Sequence, residues 1–447
     1  MNKEKSIFRA YDVRGKYPKE VNEEKAFKVG YSFGSFLRGK KVVVGMDARE
    51  SSISLKEFLI KGLLSSGKEV VDIGMCNTPM LYFAMVKWCF DGGVMITASH
   101  NPAEFNGIKM VKNEKSNVLQ IGKESGMEEI KDIFQKSNPR EKEGDFEKKS
   151  ILEEYITDLI NKIESKDNLK IVVDYGNGVG SISGKPFFEK TNFDIISLFE
   201  EPKPNFSNHE PNPHEESNFK FLVEKVIEEK ADLGIFFDGD ADRAIPVNEK
   251  GEVMRGDVLI GILALDALRE SQDNRIYYDL RCTKSLKEKV EEVGGLAIKM
   301  RVGNPYYKKN LIEKGGVMGG ETSGHIMYKD HYCIDDGLYA MVRFINIMKR
   351  ESKSVSELEK PFKERSKSYE INIKTEDKIS KLEELERKYL EKGAKIEKID
   401  GLTVEFDDWW FNIRPSNTED LLRLNLEAKD EELMLKKKKE IVEMISK

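Results

Sequence analysis

The chain has 447 residues, 39% of them apolar and 34% charged, with a formal net charge of −6. That length suits several domains of about 100–150 residues with real apolar cores. The negative balance gives no general affinity for nucleic acid or an anionic membrane, and no apolar run approaches the roughly 18–20 residues of a membrane span.

The N-terminal "MNKEKSIFRAYD" lacks the apolar stretch of a secretory signal. Cys76, Cys89, Cys282 and Cys333 form no CxxC pair, which predicts a reduced, cytoplasmic protein. Three apolar runs of strand length, "KKVVVGM", "GKEVVDIGM" and "GGVMITAS", alternate with helical segments at 51–66 and 79–90. The rhythm predicts mostly parallel sheets covered by helices. A polar stretch, "SNPREKEGDFEKKS" (137–150), reads as a linker. The rhythm then restarts with "LKIVVDYGNG", "FDIISLFEE" and "ADLGIFFDGD". After a long helical segment near 255–272 it restarts again with "NRIYYDL", "GLAIKM" and "GGVMGGE". The last 80 or so residues mix short strands, among them "LTVEF", "WWFNIR" and "LLRLNLEA", with two helical segments, an α+β pattern. In the closing "LMLKKKKEIVEMISK" the lysines read as the solvated face of a final helix.

The three α/β units form a weak internal repeat. In each, a later strand runs into a polar cluster: "TASHNP", "DGDADR" and "GGETSGH". Ligands of open parallel sheets bind beyond the carboxyl ends of strands, so the three clusters are expected to face one cleft.

Asp238, Asp240 and Asp242 alternate after a strand. Carboxylates at that density repel one another unless a hard cation sits among them, and all-oxygen ligation suits Mg²⁺ or Ca²⁺. An EF-hand loop is the rival metal reading, since Glu249 falls at the twelfth position. Arg243, however, stands at the sixth, where that loop needs glycine. An acidic turn without metal is the third possibility. In "GGETSGH", Glu321, Ser323 and His325 offer an acceptor, a hydroxyl and an imidazole suited to sugar hydroxyls, or form a plain glycine-rich turn. In "IRPSNTED", Arg414, Ser416, Asn417 and Thr418 supply the donors a phosphate dianion requires, or a side-chain-capped turn.

Ser99 and His100 are adjacent, so in a strand-like segment their side chains are expected to diverge. No Gly-x-Ser-x-Gly elbow surrounds the serine, which argues against a Ser-His-Asp hydrolase. A serine that carries a phosphoryl group opposite a metal fits better. Lys109 is then a candidate proton acceptor, provided nearby positive charge lowers its pKa; the alternative is a surface lysine.

Taken together, "FRAYDVRG", "TASHNP", "DGDADR", "GGETSGH" followed by "DDGLYA", and "RPSNTED" resemble, in order and spacing, the α-D-phosphohexomutase superfamily and its phosphomannomutase/phosphoglucomutase group. The resemblance covers essentially the whole chain. It implies an α/β fold: three similar α/β domains (1–148, 149–252 and 253–366) with mixed, mostly parallel sheets around a central cleft, and a C-terminal α+β domain (367–447). It implies Ser99 as the phosphorylated serine, with Asp238, Asp240 and Asp242 as Mg²⁺ ligands joined by an oxygen on Ser99. Tyr11, Arg14, His100, Lys109 and Arg243 match active-site positions, with Lys109 in the acid/base position. Glu321, Ser323 and His325 match the sugar-contacting turn. Arg414, Ser416, Asn417 and Thr418 match the loop for the phosphate that is not transferred. The implied reaction interconverts hexose 1- and 6-phosphates, mannose and/or glucose, through a hexose 1,6-bisphosphate. The partners it implies are hexose phosphates, with no nucleic acid or membrane, in a monomer or small homo-oligomer.

There are two departures from the family pattern. "RVGNPYY" puts Asn304 and Pro305 where a Gly-His-Ser turn is usual, which bears on sugar preference and proton handling, and Arg281 fills a substrate-binding position usually held by lysine. A phosphoglucosamine mutase is the alternative enzyme reading, against which stands "FRAYDVRG". A non-catalytic sugar-phosphate sensor is a third, against which stand the intact serine, aspartates and phosphate loop.

Overall fold

In the computed structural model of the chain, residues 7–140, 142, 144, 146–164, 168–269, 271–416 and 420–446 are described. The apolar runs of the repeat become strands with one shared topology. In the first unit Lys41–Met46 lies between Glu69–Met75 and Gly92–Ile96, all parallel, and Phe105–Asn113 returns antiparallel along Gly92–Ile96. In the second, Lys170–Asp174 lies between Asp194–Leu198 and Leu233–Phe237, with Ala244–Val247 returning. In the third, Arg275–Asp279 lies between Leu296–Met300 and Met318–Gly320, with Ile326–Tyr328 returning. Central strands such as Val42–Val44 are buried on both faces, which is why they read as continuous apolar runs rather than alternating ones. The polar clusters 97–104, 238–243 and 321–325 are the turns between the third strand and its antiparallel return in each unit. The repeat is therefore one of topology as well as of rhythm.

The helices expected at 51–66, 79–90 and 255–272 form as Glu50–Ser65, Thr78–Lys87 and Gly256–Arg269. Asn77 caps the second, accepting from the Met80 N–H, and Pro79 stands in its first turn. The linker expectation for 137–150 needs correction. Phe146–Lys148 pairs parallel with residues 70–72 at the edge of the first sheet. Its side chains are exposed, so no apolar pattern marks it; the open backbone edge of Glu69–Met75 recruits it instead.

The C-terminal sheet is wholly antiparallel, running from Ser366–Lys367 through Leu421–Ala428, Trp409–Pro415 and Leu402–Glu405 to Lys395–Glu397. Lys378–Glu391 and Glu431–Ser446 accompany it. One continuous apolar cluster runs through the first three units, while this last unit has its own core around Tyr389, Phe411 and Leu424. Among the described residues no helix is long and apolar enough to cross a membrane.

Candidate active site

Ser99 sits in the left-handed backbone region, with φ at 51°. For a non-glycine residue that costs on the order of 1–2 kcal/mol, and the surroundings offset it. The Ser99 N–H donates to Thr97 Oγ1 at 2.9 Å. Arg49, the buried fifth residue of "GMDARESS" (45–52), donates to the carbonyls of Ser99, Asn101, Pro102 and Phe105 at 2.7–3.1 Å, so one guanidinium clamps the whole turn. Because Ser99 is in a turn and not a strand, its Oγ lies 3.2 Å from His100 Nδ1, and the expected divergence of the two side chains does not occur. A hydrolytic dyad still does not result. Nδ1 also meets the Arg243 guanidinium, and burial followed by the Arg243 charge holds His100 well below its ordinary pKa.

The aspartate turn docks directly on this loop. Gly239 makes the approach possible, since a Cβ there would stand 2.5 Å from the Ser99 carbonyl oxygen. Ser99 Oγ donates to Asp238 Oδ2 at 3.0 Å and accepts from Arg243 at 3.2 Å. Carboxylate oxygens of Asp238, Asp240 and Asp242 lie within 4.8 Å of one another, and all three residues are buried. Lys109 Nζ reaches both Asp240 Oδ2 and Asp242 Oδ2 at 2.6 Å, and Thr78 donates to Asp240 at 2.5 Å. Three carboxylates crowd against the two cations Lys109 and Arg243. Burial and the two neighbouring carboxylates push Asp238 up to about 7. Asp240, despite burial, is pulled down to about 2 by Lys109. Among the described residues, Asp240 Oδ1 and Asp242 Oδ1 are buried without a hydrogen-bond partner. Crowded carboxylates with unpaired hard oxygens fit a divalent cation. The EF-hand reading falls away, because Glu249 turns elsewhere and accepts from Ser356 at 2.5 and 3.1 Å.

Lys109 departs from expectation. It is neither a surface lysine nor a group of lowered pKa. Burial alone would lower it, but Asp240 and Asp242 outweigh that and hold it well above its ordinary value.

In the third unit the Glu321 N–H closes its turn on the His325 carbonyl at 2.9 Å. Ser323 Oγ is buried without a hydrogen-bond partner among the described residues. His325 forms a backbone bridge with Arg243, which joins the second and third turns. Its Nδ1 lies 3.2 Å from Asp335 and 3.8 Å from Asp242. Arg281 is chelated by Asp279 at 2.5–3.1 Å and reaches Glu321 at 3.4 Å. Asn304, buried, donates its side-chain amide to Asp335 Oδ2 at 2.7 Å, and Lys308 takes the other oxygen at 2.5 Å. Tyr11 hydrogen-bonds the Val302 carbonyl at 3.3 Å, and Arg14 binds Asp12 and Asn101 beside the serine turn. Arg414, paired to Glu370 at 2.8 Å, lines with Tyr11, Arg301 and Asp400 a pocket of about 450 Å³ between the first, third and last units. The Ser416 N–H bonds the Leu421 carbonyl at 3.0 Å. Asn417 and Thr418 lie outside the described residues.

Arg49, Thr78, His214, Asp335, Glu370 and Arg423 also belong to this constellation and were missed in the sequence. His214 Nε2, 3.4 Å from Arg243, stands in a loop without a motif. Arg423 had a weak signal, a polar residue on the alternating face of "LLRLNLEA".

Residues 5–141, 153–251, 255–364 and 370–444 match, in order, domains I, II and III and the C-terminal domain described as phosphoglucomutase/phosphomannomutase. A phosphomannomutase of Methanocaldococcus jannaschii is 38% identical over 99% of this chain and 98% of its own. A phosphomannomutase/phosphoglucomutase of Pseudomonas aeruginosa is 34% identical over 96% of this chain and 92% of its own. A crystal structure of a phosphoglucomutase/phosphomannomutase family protein from Burkholderia thailandensis, 30% identical, superposes with a TM-score of 0.90 over 98% of this chain and 96% of its own. With all four domains matched in order along nearly the whole length, the chain belongs to the phosphoglucomutase/phosphomannomutase family.

Proposed function

We propose that this protein interconverts hexose 1-phosphates and hexose 6-phosphates, acting on mannose and glucose phosphates through a phosphoserine at Ser99 and a hexose 1,6-bisphosphate. The observation that carries the reading is the strained Ser99, its Oγ hydrogen-bonded to Asp238 within a buried three-carboxylate cluster contributed by the next unit. We take 1–148, 149–252, 253–366 and 367–447 as its domains, and the unpaired cysteines support a reduced, cytoplasmic setting.

Asp238, Asp240 and Asp242 would hold Mg²⁺, with an oxygen on Ser99 as a further ligand; when bound, the ion neutralises phosphoryl oxygens. Arg243, donating to Ser99 Oγ, steadies the oxygen that gains and loses the phosphoryl group. Lys109, in the acid/base position and paired to Asp240 and Asp242, brings positive charge beside the serine. In the first transfer the P–O bond to Ser99 Oγ breaks and one to the free sugar hydroxyl forms. The hydroxyl proton ends, net, on Ser99 Oγ, which donates it in a hydrogen bond to Asp238. The bisphosphate then turns over, and its other phosphate returns to Ser99. Arg414 and Ser416, with Asn417 and Thr418 assigned to the same loop, hold whichever phosphate is not moving. Glu321 and Ser323 read sugar hydroxyls, with His325 and Arg281 beside them. Tyr11, Arg14 and His100 complete the walls around the serine.

Mannose and glucose differ at C2. A site that reads the C3 and C4 hydroxyls leaves no buried group unpaired by that change and discriminates weakly. Asn304, which stands where a C2-specific contact could arise, has its amide engaged by Asp335.

Intact mass and coupled kinetics test the reading together. Protein as purified, or after exposure to hexose 1,6-bisphosphate, should carry an added mass of about 80 Da that Ser99→Ala lacks. Ser99→Ala should stay folded and lose most turnover. The kcat/KM values for mannose and glucose 1-phosphates should agree within about 10³, which is ~4 kcal/mol. Near-normal turnover by Ser99→Ala with bisphosphate supplied would sink the serine assignment. A strong preference for glucosamine 6-phosphate would replace the substrate reading.

A further inference from the structure

The carboxylate of Glu370 is surrounded by arginines from two units. Arg414 and Arg423 lie directly opposite each other on Trp409–Pro415 and Leu421–Ala428. Like charges in that register repel. Glu370, between Ser366–Lys367 and Ile371–Lys374, stands across both. Its Oε2 accepts from Arg414 at 2.8 Å and from the Asn425 amide at 3.2 Å, and its Oε1 accepts from Arg423 at 3.4 Å. Oε2 is also 3.7 Å from Arg281 of the third unit. Arg281 is in turn chelated by Asp279 and reaches Glu321.

A guanidinium is planar, and a carboxylate on one edge fixes that plane while leaving the other donors for a second anion. Glu370 holds one end of Arg414, and Arg414 Nε has no hydrogen-bond partner among the described residues. The pair Arg414 and Arg423 keeps one net positive charge after Glu370 is counted, enough to favour a phosphate dianion. The contact to Arg281 ties that arrangement to the unit that carries the sugar-reading turn.

We propose that Glu370 is a positioning residue. It orients Arg414 for the phosphate that is not transferred and sets the C-terminal unit in register with Arg281 and Glu321 of the third. The inference rests on the assignment of the Arg414 loop to phosphate. Two simple alternatives give different outcomes. If Glu370 merely competes with phosphate for the arginines, removing its charge tightens anion binding. If it serves only folding, its loss lowers stability and leaves phosphate affinity alone.

The test uses full-length Glu370→Gln, Glu370→Ala and Glu370→Asp proteins. Calorimetric titration with inorganic phosphate and with glucose 6-phosphate is combined with steady-state kinetics in both directions. Loss of an oriented charge-assisted contact should raise Kd for both ligands, and KM for both 1- and 6-phosphates, by about tenfold or more in Glu370→Ala. kcat should fall much less, because the contact is shared by ground and transition states. Glu370→Asp should recover part of the loss. Glu370→Gln preserves shape, so a folded variant is available even if Glu370→Ala is unstable. Unchanged or tighter phosphate binding in Glu370→Gln would overturn the proposal, as would a rise in KM for one direction alone. Weakened inorganic phosphate binding in the variants would uphold Glu370 as a positioning residue even if the wild-type protein showed no mutase turnover. That last result would count against the function proposed above, so the two readings fail separately.

Discussion

Asp238 is the residue where chemistry and stability meet. Folded and metal-free, its carboxyl is pushed from an ordinary 3.8 up to about 7, because burial and two neighbouring carboxylates outweigh the Arg243 guanidinium. Between those values the folded state binds more protons than the unfolded state, so this group's contribution to stability falls as pH rises. We expect the metal-free wild-type protein to lose melting temperature relative to Asp238→Asn on going from about pH 5 to about pH 8. Added Mg²⁺ should raise the wild-type melting temperature more at the higher pH, where the carboxylate is ready to ligate. Thermal unfolding with chelator and with Mg²⁺ reads both effects, and a wild-type protein that gained stability over Asp238→Asn across that range would contradict the first. Arg414 is the other decisive residue. Replacing it by alanine should cost about 2–4 kcal/mol in kcat/KM, since the phosphate dianion is left underpaired. The loss should be similar for 1-phosphate and 6-phosphate substrates, because one loop serves both orientations. Loss in one direction alone would contradict that shared use.

At the scale of elements, two turns from different units must touch for Ser99 and Asp238 to meet. Gly239 sets how closely they do. An alanine Cβ would stand 2.5 Å from the Ser99 carbonyl and 3.2 Å from Pro211. Backbone has to move to relieve it. Gly239→Ala should therefore destabilise by about 1–3 kcal/mol and reduce turnover out of proportion, by separating Ser99 Oγ from Asp238. Melting temperature and kcat measured on the same preparation check this, and wild-type values for both would mean the turns adjust freely. The turns themselves were legible in the sequence, as polar clusters at the ends of apolar runs. Their contacts were not. Arg49 lay in view within "GMDARESS", but nothing along the chain shows that its guanidinium spans four carbonyls of a turn fifty residues away. Phe146–Lys148 was missed for a related reason, since an exposed edge strand carries no periodic signal and exists because another strand leaves its backbone unpaired.

Over the whole molecule, one apolar cluster spans the first three units, beside smaller clusters of their own, while the C-terminal unit keeps a separate core. The last unit meets the third largely through polar groups, among them Lys284 to the Phe406 carbonyl at 2.7 Å, Lys367 to Asp257 at 2.5 Å and Arg281 to Glu370. Polar interfaces of this kind permit relative motion, as the proposed turnover of a bisphosphate within the cleft requires. The sequence by itself determined the repeated strand rhythm, the four-part organisation, and which residue types stand at the strand ends, because backbone periodicity and turn chemistry are set by near neighbours along the chain. Only the tertiary structure decided that Lys109 is paired to Asp240 and Asp242, that His100 is held neutral beside Ser99, and that Asn304 is engaged by Asp335. Protonation and partnership depend on charges brought together by folding, and Lys109 and Asp240 meet at 2.6 Å from positions 131 residues apart.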